Sequence, residues 1–376
     1  MVTSVAHAYP WDLVGDPDAA ARIASLGVDA VALAASYHTT RAATPFHPAH
    51  RLVDARHAAF YLPVRSGRWG RLVPAEPSWV DGGDSYGEAA GALRSAGLPV
   101  HAWIVLTHSS RLGDLHPDLV VRNAFGDRYP YALCPANADV VEYARTLVSE
   151  VLELGGPDGV VLEACGPLGF AHGGHHEKTD GADWTPAQQK LLSLCFCAAC
   201  SARYDDPGAV RAAVRVGVDD GAASVEEALG ELAAHVREVR TGIARDLRAE
   251  LVGLVRATAP GVRVTVHATA DPWGTGPFAT VADGLGAEVD VLTTTCWPGP
   301  EASLPAIAAL RVAAPSTRLA AYVLGLPPKP VDGAALAGEW RSYREAGVAE
   351  FHLYHAGLAS PARLDALRQA VARLDG

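Results

Sequence analysis

The chain is predicted to be an α/β protein, a (β/α)8 TIM barrel with long loops after its second and fourth strands. Three observations carry this prediction. Short apolar runs bounded by Gly, Pro and Asp recur eight times along the 376 residues, amphipathic stretches of helical period lie between them, and no early Gly-rich phosphate fingerprint marks an open doubly wound sheet. In chain order, strand one falls at 4–9 and is followed by a helix at 18–25, which ends on Leu26-Gly27, a pair suited to a left-handed cap. Strand two, at 29–35, leads into the long segment 36–84 before a helix at 86–95 that stops at Ala96-Gly97. Strand three (100–107) and a helix at 138–154 come next, then strand four at 159–164 and the second long segment, 165–224. A helix at 225–257 precedes strand five (262–268), and a short helix is expected at 281–285 before strand six (289–295). The chain closes with a helix at 304–313, strand seven (318–324), a helix at 334–346 stopped by Ala346-Gly347, strand eight (350–355) and a helix at 363–374.

No low-complexity stretch or charge block divides the sequence, so one domain over 1–376 is expected, with insertions at 36–84 and 165–224. Both insertions follow the C-terminal end of a strand, the face of a barrel where sites are built. An apolar fraction of 49% with 19% charged residues describes a well-buried core, and a net charge of −11 argues against nucleic acid and anionic membrane as partners. No apolar run reaches the roughly 18 residues needed to cross a bilayer, and the start of the chain lacks the signature of a secretory leader. A cytoplasmic protein is therefore expected, its oligomeric state open and a homo-oligomer allowed. In that reducing compartment cysteine clusters bind metal more often than they form disulfides.

The densest chemical signal is Cys195-Phe196-Cys197-Ala198-Ala199-Cys200, whose spacing lets three thiolates converge on one tetrahedral ion, with Cys134 of Cys134-Pro135 as the best fourth ligand. Four sulfurs leave no open position, so such a zinc ion would staple loops rather than catalyse. The alternative is a set of ordinary buried cysteines on an amphipathic helix beside Leu191, Leu192 and Leu194.

Strand ends supply the candidate site. They offer His7 and Trp11 after strand one, Tyr37 and His38 after two, Thr107 and His108 after three, and Glu163 at the end of four. Strand five adds His267, Asp271 and Trp273, strand six Cys296 and Trp297, and strand eight His352, Tyr354 and His355. Glu163 ends the apolar run Gly159-Val160-Val161-Leu162, where partial desolvation would raise its pKa and keep a proton available near neutral pH; pairing with Arg is the structural alternative. Loop tryptophans suit the faces of sugars, or simply anchor loops on the barrel. In His172-Gly173-Gly174-His175-His176-Glu177-Lys178 the Gly pair separates the segment from helix-borne zinc motifs, which leaves His172, His175 and His176 for substrate hydrogen bonds, metal ligation or a solvated loop.

Taken together, Cys134-Pro135, then Glu163, then Cys195, Cys197 and Cys200 resemble the zinc-containing β-galactosidase family of the (β/α)8 glycoside hydrolase clan, over about residues 125–205. The resemblance implies a structural zinc on those four cysteines, Glu163 as general acid/base, and a small carbohydrate as substrate. Two departures stand out. Leu162 occupies the place of the Asn that precedes the family's strand-four Glu, and no Glu follows strand seven, which reads Tyr322-Val323-Leu324-Gly325-Leu326-Pro327. Asp271 or Glu177 is then the candidate second carboxylate, and either would favour inversion. His7, Trp11, Tyr37, His38, His108, His172, His175, His176, Trp273, Trp297 and His355 are the candidate substrate contacts. Two other readings stay open: a metal-dependent sugar isomerase, epimerase or lyase, and a sugar-binding barrel without catalysis.

Overall fold

The computed structural model describes residues 2–170, 178–284 and 289–374. Eight parallel strands close on themselves: β1 (Thr3–Ala8), β2 (Ala30–Tyr37), β3 (Val100–Val105), β4 (Gly159–Glu163), β5 (Arg263–Thr269), β6 (Val291–Thr295), β7 (Arg318–Leu324) and β8 (Glu350–Tyr354). Closure is direct, since β1 pairs with β2 on one side and with β8 on the other. Every strand lies within two residues of its sequence expectation. The reason is burial on both faces: β2, β3 and β4 are buried at every position, and continuous apolar runs are what that environment selects.

Among the described residues, seven helices surround the barrel: α1 (Ala19–Ala24), α2 (Ser85–Ser95), α3 (Ala138–Glu150), α4 (Ala233–Thr258), α5 (Pro300–Ala313), α6 (Gly333–Glu345) and α7 (Pro361–Val371). Three of their starts are fixed by side-chain caps, with Asp84 accepting from the Gly87 N–H, Asp332 from Ala334 and Ala335, and Ser360 from Arg363. Their expected glycine stops hold too: Gly27, Gly97 and Gly347 all have φ between 75° and 93°.

Three segments depart from expectation. The helix foreseen at 281–285 does not form among the described residues. Instead Ala279–Thr280 adds to β5 in parallel, and Arg248 of α4 donates to the carbonyls of Thr280 and Gly284, so the backbone groups a helix would use are already engaged. The helix foreseen at 225–257 is broken at Gly230, whose φ is 52°, into Val225–Leu229, one 3-10 turn and α4. A third long connection follows β3, carrying a short helix, Ser110–Leu115, and a hairpin of Val120–Arg122 with Arg128–Leu133. The helix sits so close to the hairpin that a Cβ on Gly113 would lie 1.8 Å from the Pro130 carbonyl oxygen, an approach that glycine alone allows. Among the described residues, no helix is long and apolar enough to cross a membrane.

Candidate active site

At the C-terminal ends of the strands the barrel opens into a cavity of about 410 Å³ with Glu163 in its wall. Glu163 is the last residue of β4 and pairs with Val105 of β3. Two residues back on β3, Trp103 reaches the same level, and its Nε1–H donates to Glu163 Oε2 at 2.7 Å. From the other side, His267 of β5 brings Nδ1 to 3.5 Å from the same oxygen. Just past the carboxylate the chain turns sharply, with Ala164 at φ 55°, a left-handed position uncommon for a residue with a side chain. The Ala164 N–H donates to the Pro277 carbonyl, and the Thr107 hydroxyl donates to the Ala164 carbonyl.

Burial sets the electrostatics. It pushes the Glu163 carboxyl up to about 7, against the Trp103 N–H, which favours the ionised form. It also lowers His267 to about 3, with a smaller push in the same direction from His352, so the imidazole is neutral. A neutral His beside a carboxyl that titrates near neutrality is an arrangement able to hold and deliver one proton. The His267 ring lies flat against Phe278, with centroids 4.8 Å apart and planes 6° from parallel, which locks its orientation.

Of the residues expected to meet substrate, Tyr37, His38 and Trp297 line this cavity. His38 stacks between Tyr37 and His108, 4.2 Å from each, so His108 supports the wall from behind. His7, Trp11, Trp273 and His355 lie elsewhere. His7 is enclosed in the barrel, with Nε2 3.1 Å from His352 Nδ1, and His352 Nε2 is 3.0 Å from Glu350. Burial alone would raise Glu350, yet His352, Arg263 and Arg318 outweigh it and hold this fully buried carboxylate below its ordinary range. His355 and Trp11 are buried against the Tyr9 ring, and Trp273 donates to Glu226 at 2.6 Å. Asp271 is ion-paired with Lys190 at 2.6 Å and accepts from the Trp273 N–H; it does not line the cavity. His172, His175, His176 and Glu177 lie outside the described residues.

The strand-end candidate Tyr354 lines the cavity too; so do Trp103, Phe278, Thr295 and Tyr322, along with Thr40 and Pro277, and these six were not foreseen. Trp103 lies inside the run read as strand three, where a large ring in the inward phase of a barrel strand carries a usable signal. Tyr322 of β7 stands near the end of the strand that lacks a Glu, packed 5.0 Å from the His267 ring.

The four cysteines do meet. Sγ atoms of Cys134, Cys195, Cys197 and Cys200 all lie within 4.8 Å of one another and are buried. The Cys134–Cys200 and Cys134–Cys197 separations are 3.5 and 3.7 Å, close to the edge of about 3.8 Å for a tetrahedron with Zn–S bonds of about 2.3 Å. Backbone N–H groups of Cys197 and Cys200 point at the Sγ atoms of Cys195 and Cys197, as thiolates require. This cluster can hold a metal ion. It joins two connections, because Cys134 ends the hairpin after β3 and the Phe196 N–H donates to Arg122 of that hairpin at 2.6 Å. Ala164 and Leu168 pack into the same apolar cluster, which places the staple directly behind the turn that follows Glu163.

No family model matches the chain, and no curated protein matches it by sequence. Solved structures do match by fold. An α-L-fucosidase isoenzyme from Paenibacillus thiaminolyticus aligns with a TM-score of 0.59 at 12% identity, covering 100% of this chain and 49% of that one. The catalytic domain of a β-amylase from Paenibacillus polymyxa gives 0.59 at 14% identity, over 98% and 97% of the two chains. A β-galactosidase from Marinomonas ef1 gives 0.61 at 12%, over 99% of this chain and 59% of its own. The chain thus spans about half of the fucosidase and nearly all of the amylase domain. These neighbours are glycoside hydrolases built on (β/α)8 barrels, and at such identities the architecture is what this chain has in common with them.

Proposed function

We propose that the barrel mouth is a glycoside-cleaving site in which Glu163 protonates the leaving oxygen of a small sugar conjugate. One observation carries this reading: a carboxyl at the end of β4, buried in the wall of a cavity and pushed to about 7, still has its proton when a substrate arrives near neutral pH. Tyr37, His38 and Trp297 would seat the sugar, with His108 holding His38 in place. The second carboxylate of an inverting reaction would be Glu177 or Asp271; the second of these must first give up Lys190. Zinc on the four cysteines would be structural, and the whole chain would act as one domain.

Turnover of a panel of aryl glycosides tests this. Glu163→Gln should lower kcat by roughly 10²–10⁴-fold, with binding retained. Comparison of Glu177→Gln with Asp271→Asn assigns the second acid, and NMR of the first-formed anomer reads inversion or retention. Turnover unaffected in Glu163→Gln would sink the proposal.

A second reading has its own support. Among the described residues that line the cavity, Glu163 is the one carboxylate, which suits a barrel that binds sugars without cleaving them. Binding of glycosides with no release of the aglycone by the unmodified protein would favour it. A metal-dependent isomerase or lyase is separated by metal analysis, since it needs a second, removable ion.

A further inference from the structure

Building on the barrel mouth as a sugar site, we propose that its cavity selects uncharged hydroxylated rings and rejects glycosides that carry a carboxylate, phosphate or sulfate. The walls come first. Trp103, Trp297, Tyr322 and Phe278 present flat ring surfaces, which match the C–H faces of a pyranose and carry no countercharge for an anion. Countercharge comes second. Among the described lining residues there is no Lys or Arg, and the one ionisable acid is Glu163. An anion entering this buried space would be desolvated without a cationic partner. Lys190, whose Nζ reaches the loop after β5, is taken up by Asp271 at 2.6 Å.

His267 supplies the third observation. The residue is fully buried in the cavity wall; its Nδ1 faces Glu163 Oε2 at 3.5 Å, and its Nε2 has no hydrogen-bond partner. Kept neutral by burial, the imidazole has one N–H to give and one lone pair to fill. A hydroxyl can accept from Nε2 or donate to it and so satisfies either tautomer, whereas an oxyanion can only accept.

The test is calorimetric binding to the full chain of phenyl glycosides in matched pairs: glucoside with glucuronide, galactoside with galactoside 6-phosphate, and glucosaminide N-acetyl derivative with its 6-sulfate. In each pair that binds, the neutral member is expected to have a Kd at least roughly tenfold lower. His267→Leu should weaken the neutral members by at least the same factor, and Thr295→Arg, which places a guanidinium in the wall, should tighten the anionic ones. An anionic member binding as well as its neutral partner overturns the inference, as does the absence of binding by every neutral member at millimolar concentration. Because the paired measurements use the unmodified chain, they decide the matter even where a variant fails to fold. Phenol release is read separately: binding without release removes hydrolysis and leaves this selectivity, while release from a glucuronide faster than from the glucoside removes the selectivity and leaves hydrolysis.

Discussion

Trp103 Nε1 lies 2.7 Å from Glu163 Oε2, a hydrogen bond made inside the barrel between side chains of adjacent strands. Their strands pair in a fixed register, Trp103 opposite Val161 and Val105 opposite Glu163, so the indole is delivered to the carboxyl by the sheet itself and not by a loop. One donor is too little to offset full burial, and the carboxyl settles near 7.

Removing that donor should move the acid. The indole N–H favours the ionised form, so Trp103→Phe raises the Glu163 pKa further and extends the protonated form to higher pH. The basic limb of the kcat/KM profile is expected to shift upward by up to about one pH unit. A shift in the opposite direction would show that the indole acts by some other route.

Glu163 should also make stability depend on pH. Its ordinary pKa is 4.5 and its folded value about 7, so across that window the folded state holds more protons than the unfolded one. Its contribution is fully present below about 4.5, is lost as pH rises towards 7, and is gone above it. Asp12, buried and pushed to about 7 despite the Tyr9 N–H, adds a loss of the same sign. Urea unfolding should therefore find Glu163→Gln close to the unmodified protein at pH 4.5 and more stable at pH 8, by up to about 3 kcal/mol. Parallel pH curves for the two proteins would contradict this.

The cysteine cluster predicts a metal dependence of structure. Purified protein should contain a single tightly held zinc, and Cys134→Ser should lose it and lower Tm by roughly 5–10 °C while leaving the far-UV spectrum of the barrel intact. Because Ala164 packs against the same cluster, activity should fall together with the metal. Full zinc occupancy in Cys134→Ser would place the ion elsewhere.

At the other end of the barrel, Glu350 balances Arg263, Arg318 and His352 with no exposure of its own. Glu350→Ala leaves those groups without their counter-ion and is expected to cost about 3–5 kcal/mol in urea unfolding. The loss should appear with little change in ligand binding, since none of the four residues lines the cavity.

Read from the chain alone, the eight strands were legible because parallel barrel strands are buried on both faces and leave uninterrupted apolar runs. The glycine stops at 27, 97 and 347 were legible because a positive φ demands them. Strand-end logic found Glu163, Tyr37, His38, His267, Trp297 and Tyr354, but it also gathered His7, Trp11, Trp273 and His355, which are buried away from the cavity. Periodicity tells which residues face inward. It does not tell at which level along the barrel axis each one sits, and that level separates His7, locked to His352, from His267, which stands in the cavity wall.

The sequence by itself determined the architecture and the meeting of the four cysteines, because both rest on local pattern: apolar runs of strand length, and sulfurs spaced to converge. Tertiary structure alone decided what the carboxyl of Glu163 meets. Trp103, His267, Tyr322 and Glu163 come from four strands spread over more than half the chain, and only closure of the barrel, with its register, brings them to one height. Proton affinity and charge selectivity arise from that shared burial, which no single segment carries.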